Sequence, residues 1–314
     1  MTPPRIAVLF RTHFWDDFAQ RQFDRLLAVA GGSDVFVLVD ETSGPVAVPH
    51  DRVIRVTEAR LLAMGLPRAG EGNMLWFNGD YPLYAVLQAE PGYDYYLQLE
   101  YDVVINRPIA ELVERAVADG ADYVGLTKGE PTAEWFWRDS CTQTYALADL
   151  RHQLICLSLF SARALRHLWE RRIAHAGARA AGTLSTWPFC EGFIPTELAL
   201  GGFVCRELSD YGETAAYDHW PPYLENDMPR LRDMPFVHPV LDQPRYIASL
   251  HKYRIGLTGY LNPASLFHRK LRRLPARDYL PVLARSFWQK ARRTLRSASR
   301  STDGVNLAAA GKGT

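Results

Sequence analysis

Short apolar runs closed by turn residues alternate along this chain with stretches of helical period. Residues 5–10 read as a strand. Residues 16–30 read as a helix with Phe18, Phe23, Leu26, Leu27 and Ala30 inward, stopped by Gly31-Gly32. A second strand over 34–39 runs into Asp40-Glu41-Thr42-Ser43-Gly44, completing a β-α-β start. Helices follow from 57 or 58 to about 64 and over 80–89, the latter with Pro82 in its first turn. Residues 108–118 place Leu112, Val113, Ala116 and Val117 on one helical face and end at Gly120; 122–126 form a further strand. The second half keeps the alternation: a strand at 154–160, a helix capped by Ser161 and running to about Ile173, a helix at 191–200 stopped by Gly201-Gly202, and a strand at 203–208. The pattern predicts an α/β fold, an open and mainly parallel sheet with helices on both faces.

One strand carries chemistry. Tyr93 to Asn106 is an aromatic and apolar run that follows the turn Glu90-Pro91-Gly92 and contains Glu100 and Asp102, which strand alternation places on one face with Gln98. Spacing alone says nothing, because random placement would give on the order of four such acidic pairs in a chain of this composition. Context separates the two pairs that occur: Glu225 and Asp227 sit in a Pro-rich polar segment, as solvated loop carboxylates do. Carboxylates at the carboxyl end of a central strand occupy the place where open α/β sheets bind ligands, and they suit a hard divalent ion shared with phosphates. A surface salt-bridge pair is the competing reading.

The chain has 314 residues, 47% hydrophobic and 23% charged, with a formal net charge of +1. That composition builds a globular core and excludes a surface made as a whole for nucleic acid. Charge is nonetheless uneven: from Arg269 to Arg300 there are eleven Lys and Arg against Asp278. Leu280, Leu283, Phe287, Ala291 and Leu295 share a helical face there, which predicts either peripheral contact with an anionic membrane or a terminal helix packed on its domain. The short apolar run before Arg11 is too brief for a signal-peptide core or a span, so a cytoplasmic protein is expected. Cys141, Cys156, Cys190 and Cys205 lack CxxC spacing and read as reduced and structural, not as zinc ligands. Long aromatic loops, Glu134 to Arg138, Thr186 to Phe189 and Asp218 to Tyr223, read as lids or binding walls, their tryptophans stacking on a ligand or packing in the core. Residues 301–314 read as a disordered tail.

Four motifs stand in order along the chain: Phe36-Val-Leu-Val-Asp40-Glu41, Leu97-Gln-Leu-Glu100-Tyr-Asp102-Val, Phe160-Ser-Ala-Arg-Ala-Leu165, and Glu191-Gly-Phe-Ile-Pro-Thr-Glu197-Leu-Ala-Leu-Gly-Gly-Phe203. With them, the stretch from residue 5 to residue 208 resembles the GT-A type of nucleotide-sugar-dependent glycosyltransferase. The resemblance implies a hexosyltransferase-like enzyme with Mn²⁺ or Mg²⁺, a nucleoside-diphosphate sugar donor (a UDP-sugar favoured), a glycan or other hydroxyl acceptor, and no nucleic-acid partner. It implies Asp102, Glu100 and a histidine, His251 or alternatively His238, as metal ligands. Asp40, Glu41, Asp80, Glu100 and Lys252 fall to the nucleotide, while Arg11 and His13 line its pocket or a solvated loop. Glu191 is the implied base of an inverting displacement; an N-terminal helix carboxylate placed for the dipole is the bland alternative. Two departures stand out: the usual Asp-x-Asp is Glu-x-Asp, and the usual Glu-Asp pair at the catalytic helix is Glu191-Gly192. The expected organisation is a catalytic domain over 1–262, divided near 127, a basic helical extension over 263–300, and the tail. A non-catalytic sugar-nucleotide or glycan-binding module is the alternative function.

Overall fold

The computed structural model describes residues 4–253 and 262–282, with residues 284, 285, 287, 288 and 292; within 251–253 only the backbone is described. Two compact units result, Met1–Trp220 with Asp227–Val240, and Pro221–Asn226 with Leu241–Thr314. No helix among the described residues is long and apolar enough to cross a membrane.

The first unit is a seven-stranded sheet with helices on both faces. Its strands are β1 (Ile6–Thr12), β2 (Asp34–Asp40), β3 (Val53–Val56), β4 (Tyr95–Glu100), the short β5 (Val104–Ile105) outside the main sheet, β6 (Tyr123–Thr127), β7 (Gln153–Ser161) and β8 (Cys205–Glu207). The order in the main sheet is β3-β2-β1-β4-β7-β6-β8. β1 pairs in parallel with β2 and β4, and only β7 runs antiparallel, between β4 and β6. Both central faces are apolar, as a sheet covered on both sides requires: Val8, Phe10, Leu97 and Leu99 meet one core, Ala7, Leu9 and Tyr96 the other.

The helices are α1 (Asp17–Val29), α2 (Glu58–Ala63), α3 (Met74–Phe77), α4 (Tyr81–Ala89), α5 (Ile109–Ala118), α6 (Arg138–Cys141), α7 (Ala162–Ala180) and α8 (Cys190–Leu200). Their starts follow from sequence chemistry. Asp16 Oδ1 accepts from Phe18 N and Ala19 N at 3.0 Å, and Ser161 Oγ accepts from Ala164 N at 3.2 Å; such caps contribute about 1 kcal/mol each. α7 runs beyond the expected end near Ile173 because Arg172 and His175 are themselves buried.

In the second unit, α9 (Gln243–Tyr253) and α10 (Leu266–Leu271) carry the buried Tyr246, Ile247, Leu250, Phe267 and Leu271. Gln243 Nε2 donates to Asp278 Oδ2 at 2.8 Å, and Tyr279 is buried. Residues 276–282 are helical, with Leu280 and, beyond them, Trp288 exposed. Of the other apolar positions assigned to that face, Phe287 is half-buried, while Leu283, Ala291 and Leu295 lie outside the described residues, as does the tail.

Candidate active site

β1 and β4 end side by side, with Arg11 in register with Glu100. Arg11 therefore lies inside β1 and not in a loop after it. Its guanidinium donates to Leu75 O at 2.5 Å and Gly79 O at 3.2 Å, and stands 3.5 Å from Glu100 Oε1. Its first task is thus to pin the α3–α4 segment to the sheet.

β4 stops at Glu100. A tight turn through Tyr101 and Asp102 follows, closed by Val103 N–H donating to Glu100 O at 2.9 Å. Asp102 consequently faces a different environment from the one strand alternation would give it. Its carbonyl accepts from Val240 N at 2.8 Å, while β5 pairs antiparallel with Phe236–Val237. These contacts draw the 236–240 segment across the end of the sheet and deliver His238, which is buried.

The His238–Asp102 geometry is specific. His238 Nδ1 lies 2.7 Å from the Asp218 carbonyl oxygen, so Nδ1 carries the proton and Nε2 presents its lone pair. Nε2 stands 3.6 Å from Asp102 Oδ1, a buried oxygen with no hydrogen-bond partner among the described residues. Burial pushes His238 down to about 4, so it is neutral near pH 7. Burial, and then the charge of Glu100, pushes the Asp102 carboxyl well up. Asp102 Oδ1 and His238 Nε2 face one another at 3.6 Å, too long for a hydrogen bond, a spacing that suits a cation held by both. A ligand atom of Glu100, Cys156 Sγ and a ring nitrogen of His238 lie within 4.8 Å of one another. These donors fit a divalent ion.

Glu191 lies in the first turn of α8, its carboxylate 3.5 Å from His152 Nε2. Burial raises its pKa, Glu100 adds to the rise, and the His152 hydrogen bond and charge oppose it. Trp135 stacks on the His152 ring with centroids 4.2 Å apart. The same tryptophan accounts for Gly192: a Cβ there would stand 2.8 Å from Trp135 Cη2 and 2.6 Å from Cys141 Sγ, so no second carboxylate fits beside Glu191. Beside His152 a cavity of about 650 Å³ opens between β6, β7, β8 and α8, lined among others by Thr127, Arg151, His152, Gln153 and Glu207; Glu191 itself does not line it.

The structure distributes the other expected residues differently. Asp40 closes a local turn, its Oδ1 accepting from Thr42 N at 2.9 Å and Thr42 Oγ1 at 2.6 Å. Glu41 pairs with Arg55 and accepts from Val46 N at 2.9 Å. His13 is exposed, its ring edge-on to Phe14 and Tyr101. Asp80 is a correction. It is wholly buried, ion-paired to Arg172 at 2.7 and 3.0 Å and accepting from Tyr84 Oη at 2.8 Å, with no surface left for a nucleotide. The side chains of His251 and Lys252 lie outside the described residues. Asp227 of the second acidic pair makes a 3.8 Å ion pair with the exposed Arg230.

Sequence reasoning missed His152 and Cys156, and ranked His238 second. His152 carries no motif; its only signal is its place just before a predicted strand.

No family model matches the chain, and no curated protein matches it. Among solved structures it is similar to three glycosyltransferases. The first is involved in glycosylation of the major capsid of PBCV-1 (14% identity, TM-score 0.40, covering 75% of this chain and 92% of that one). The second is mouse xyloside xylosyltransferase 1 in its apo form (13%, 0.43, 75% and 97%). The third is the galactosyltransferase LgtC in complex with donor and acceptor sugar analogs (12%, 0.41, 88% and 95%).

Proposed function

We propose that this protein is a glycosyltransferase that moves a sugar from a nucleoside diphosphate, UDP by preference, to a hydroxyl acceptor with inversion. The observation that carries the reading is the convergence of Glu100, Asp102 and His238 at the carboxyl end of β4, with Glu191 close enough to Glu100 for their charges to interact. Open α/β sheets bind ligands at that end, and the sequence resemblance to the GT-A type points the same way.

Asp102, Glu100 and His238 would hold a divalent ion such as Mn²⁺, which as a Lewis acid stabilises charge on the departing diphosphate. Glu191 takes the proton from the acceptor hydroxyl. The acceptor oxygen then bonds to the anomeric carbon from the face opposite the breaking bond to the diphosphate oxygen. A raised pKa suits Glu191 to that task, since it makes the carboxylate a stronger base while leaving it ionised above its pKa. His152 keeps Glu191 from being neutralised by burial alone and fixes its direction, and Trp135 fixes His152.

The test is turnover of UDP-sugars in Mn²⁺, with release of UDP as the readout in the presence and absence of glycan acceptors. Release that disappears in Asp102→Asn supports the enzyme. Nucleotide binding without any release under these conditions would instead support the non-catalytic binding module.

A further inference from the structure

The donor set at the end of β4 is unusual for a site meant only for hard ions. Leu157 on β7 pairs with Leu99 on β4, which brings Cys156 level with Glu100 across the antiparallel pair. Cys156 is buried and free, and its sulfur lies within 4.8 Å of ligand atoms of Glu100 and His238. A buried cysteine ordinarily packs as a small hydrophobe. This one lies beside a polar spot at the end of β4, where Asp102 Oδ1 is buried with no hydrogen-bond partner among the described residues and His238 Nε2 presents its lone pair.

We propose that Cys156 is a ligand of the cation site, which is therefore a mixed sulfur, nitrogen and oxygen centre selective for borderline and thiophilic divalent ions over Mg²⁺. The inference rests on the cation site proposed above and adds a ligand to it. Imidazole and thiolate donors suit zinc, cobalt and cadmium, whereas Mg²⁺ demands a near-octahedral shell of oxygen. Glu100, Cys156 and His238 offer three donor side chains within 4.8 Å of one another, and Asp102 Oδ1 stands 3.6 Å from His238 Nε2; three protein donors suffice for a tetrahedral ion that keeps one position open. When sulfur binds, the thiol proton leaves to water and the S–metal bond replaces the S–H bond; no electron is transferred.

The test uses the full-length chain freed of metal by chelation and titrated with Cd²⁺, Co²⁺ and Mg²⁺. The expected result is a stoichiometric thiolate-to-metal charge-transfer absorption with Cd²⁺ and Co²⁺ that is lost in Cys156→Ser. Cd²⁺ affinity should fall at least about tenfold in that variant, with Mg²⁺ affinity changed by less than about twofold. Cys156→Ala, checked by thermal melting, guards against a misfolded serine variant and should lose the band as well. His238→Gln should weaken Co²⁺ binding while retaining the band. Co²⁺ binding that shows d–d absorption but no charge-transfer band, or a band that survives in both Cys156 variants, overturns the assignment of Cys156 and leaves the cation site with Glu100, Asp102 and His238. No binding of any of the three ions removes the cysteine proposal and the cation site together.

Discussion

Asp80→Asn should unfold this protein more readily without touching nucleotide recognition. Asp80 and Arg172 are both fully buried, and the carboxylate takes two guanidinium hydrogen bonds of 2.7 and 3.0 Å. Arg172 also donates to Pro188 O at 3.0 Å and lies 3.7 Å from the Phe193 ring centroid. The pair therefore ties the start of α4 to α7 and to the segment that leads into α8 and Glu191. Asparagine keeps the shape and one acceptor but leaves the buried guanidinium without its counter-charge. Breaking a buried pair from one side costs about 3–5 kcal/mol, a large share of the roughly 5–15 kcal/mol that holds a typical domain folded. Urea unfolding followed by tryptophan fluorescence would read the loss as a lower midpoint at unchanged slope. UDP affinity, measured well below that midpoint, should stay within about twofold of the parent, because Asp80 has no exposed surface with which to touch the nucleotide. A stability loss below about 1 kcal/mol, far under the expected cost, would refute the reasoning. So would parent-like stability with nucleotide binding abolished, which would return Asp80 to the nucleotide site.

Glu191→Gln should lower turnover by roughly 10²- to 10⁴-fold, the usual contribution of a general base, with UDP affinity retained; normal turnover, or a product of retained anomeric configuration, would remove Glu191 from the mechanism. His152→Ala should move the acid limb of the kcat/KM profile to higher pH. The sign follows from the site: activity is lost as pH falls and the Glu191 carboxylate takes up a proton, and without the opposing His152 interaction burial raises that pKa further. A limb that stays put or moves down would show that His152 does not tune Glu191. Removing residues 289–314 takes away Lys290, Arg292, Arg293, Arg296, Arg300 and Lys312. If the basic extension meets membranes, co-sedimentation with anionic vesicles at low salt should weaken by about 1 kcal/mol per basic residue near the surface, with neutral vesicles unaffected; equal binding to both vesicle types would discard the membrane contact.

The elements legible in the sequence are those whose signals are local. Asp16 and Ser161 cap their helices through their own side chains, and the apolar runs of β1, β2 and β4 are long enough to stand out. β3 escaped because Val53–Val56 is a four-residue edge strand interrupted by Arg55, and its pairing with β2 alone defines it. The end of the acidic motif was legible only in part. The Glu100 carbonyl closes a turn immediately after β4, so period-two alternation stops applying one residue before it would place Asp102. His238 reaches the site through the backbone bond from Val240 to Asp102 and the antiparallel pairing of Phe236–Val237 with β5, contacts between distant stretches of chain that no window of sequence contains. Asp80 misled for the same reason. A carboxylate before a helix carries the signature of a ligand or a cap, and only the fold reveals an arginine 92 residues away that consumes it.

The most direct test of the account is the thermal stability of the protein with UDP, in Mn²⁺ and in chelator, for the parent and for Asp102→Asn. The account predicts that UDP stabilises the parent only when the ion is present, by roughly 2.7 kcal/mol at about 100 times its dissociation constant, and that Asp102→Asn folds but loses this linkage. Equal stabilisation by UDP in Mn²⁺ and in chelator, or full ion-dependent stabilisation of Asp102→Asn, would contradict it.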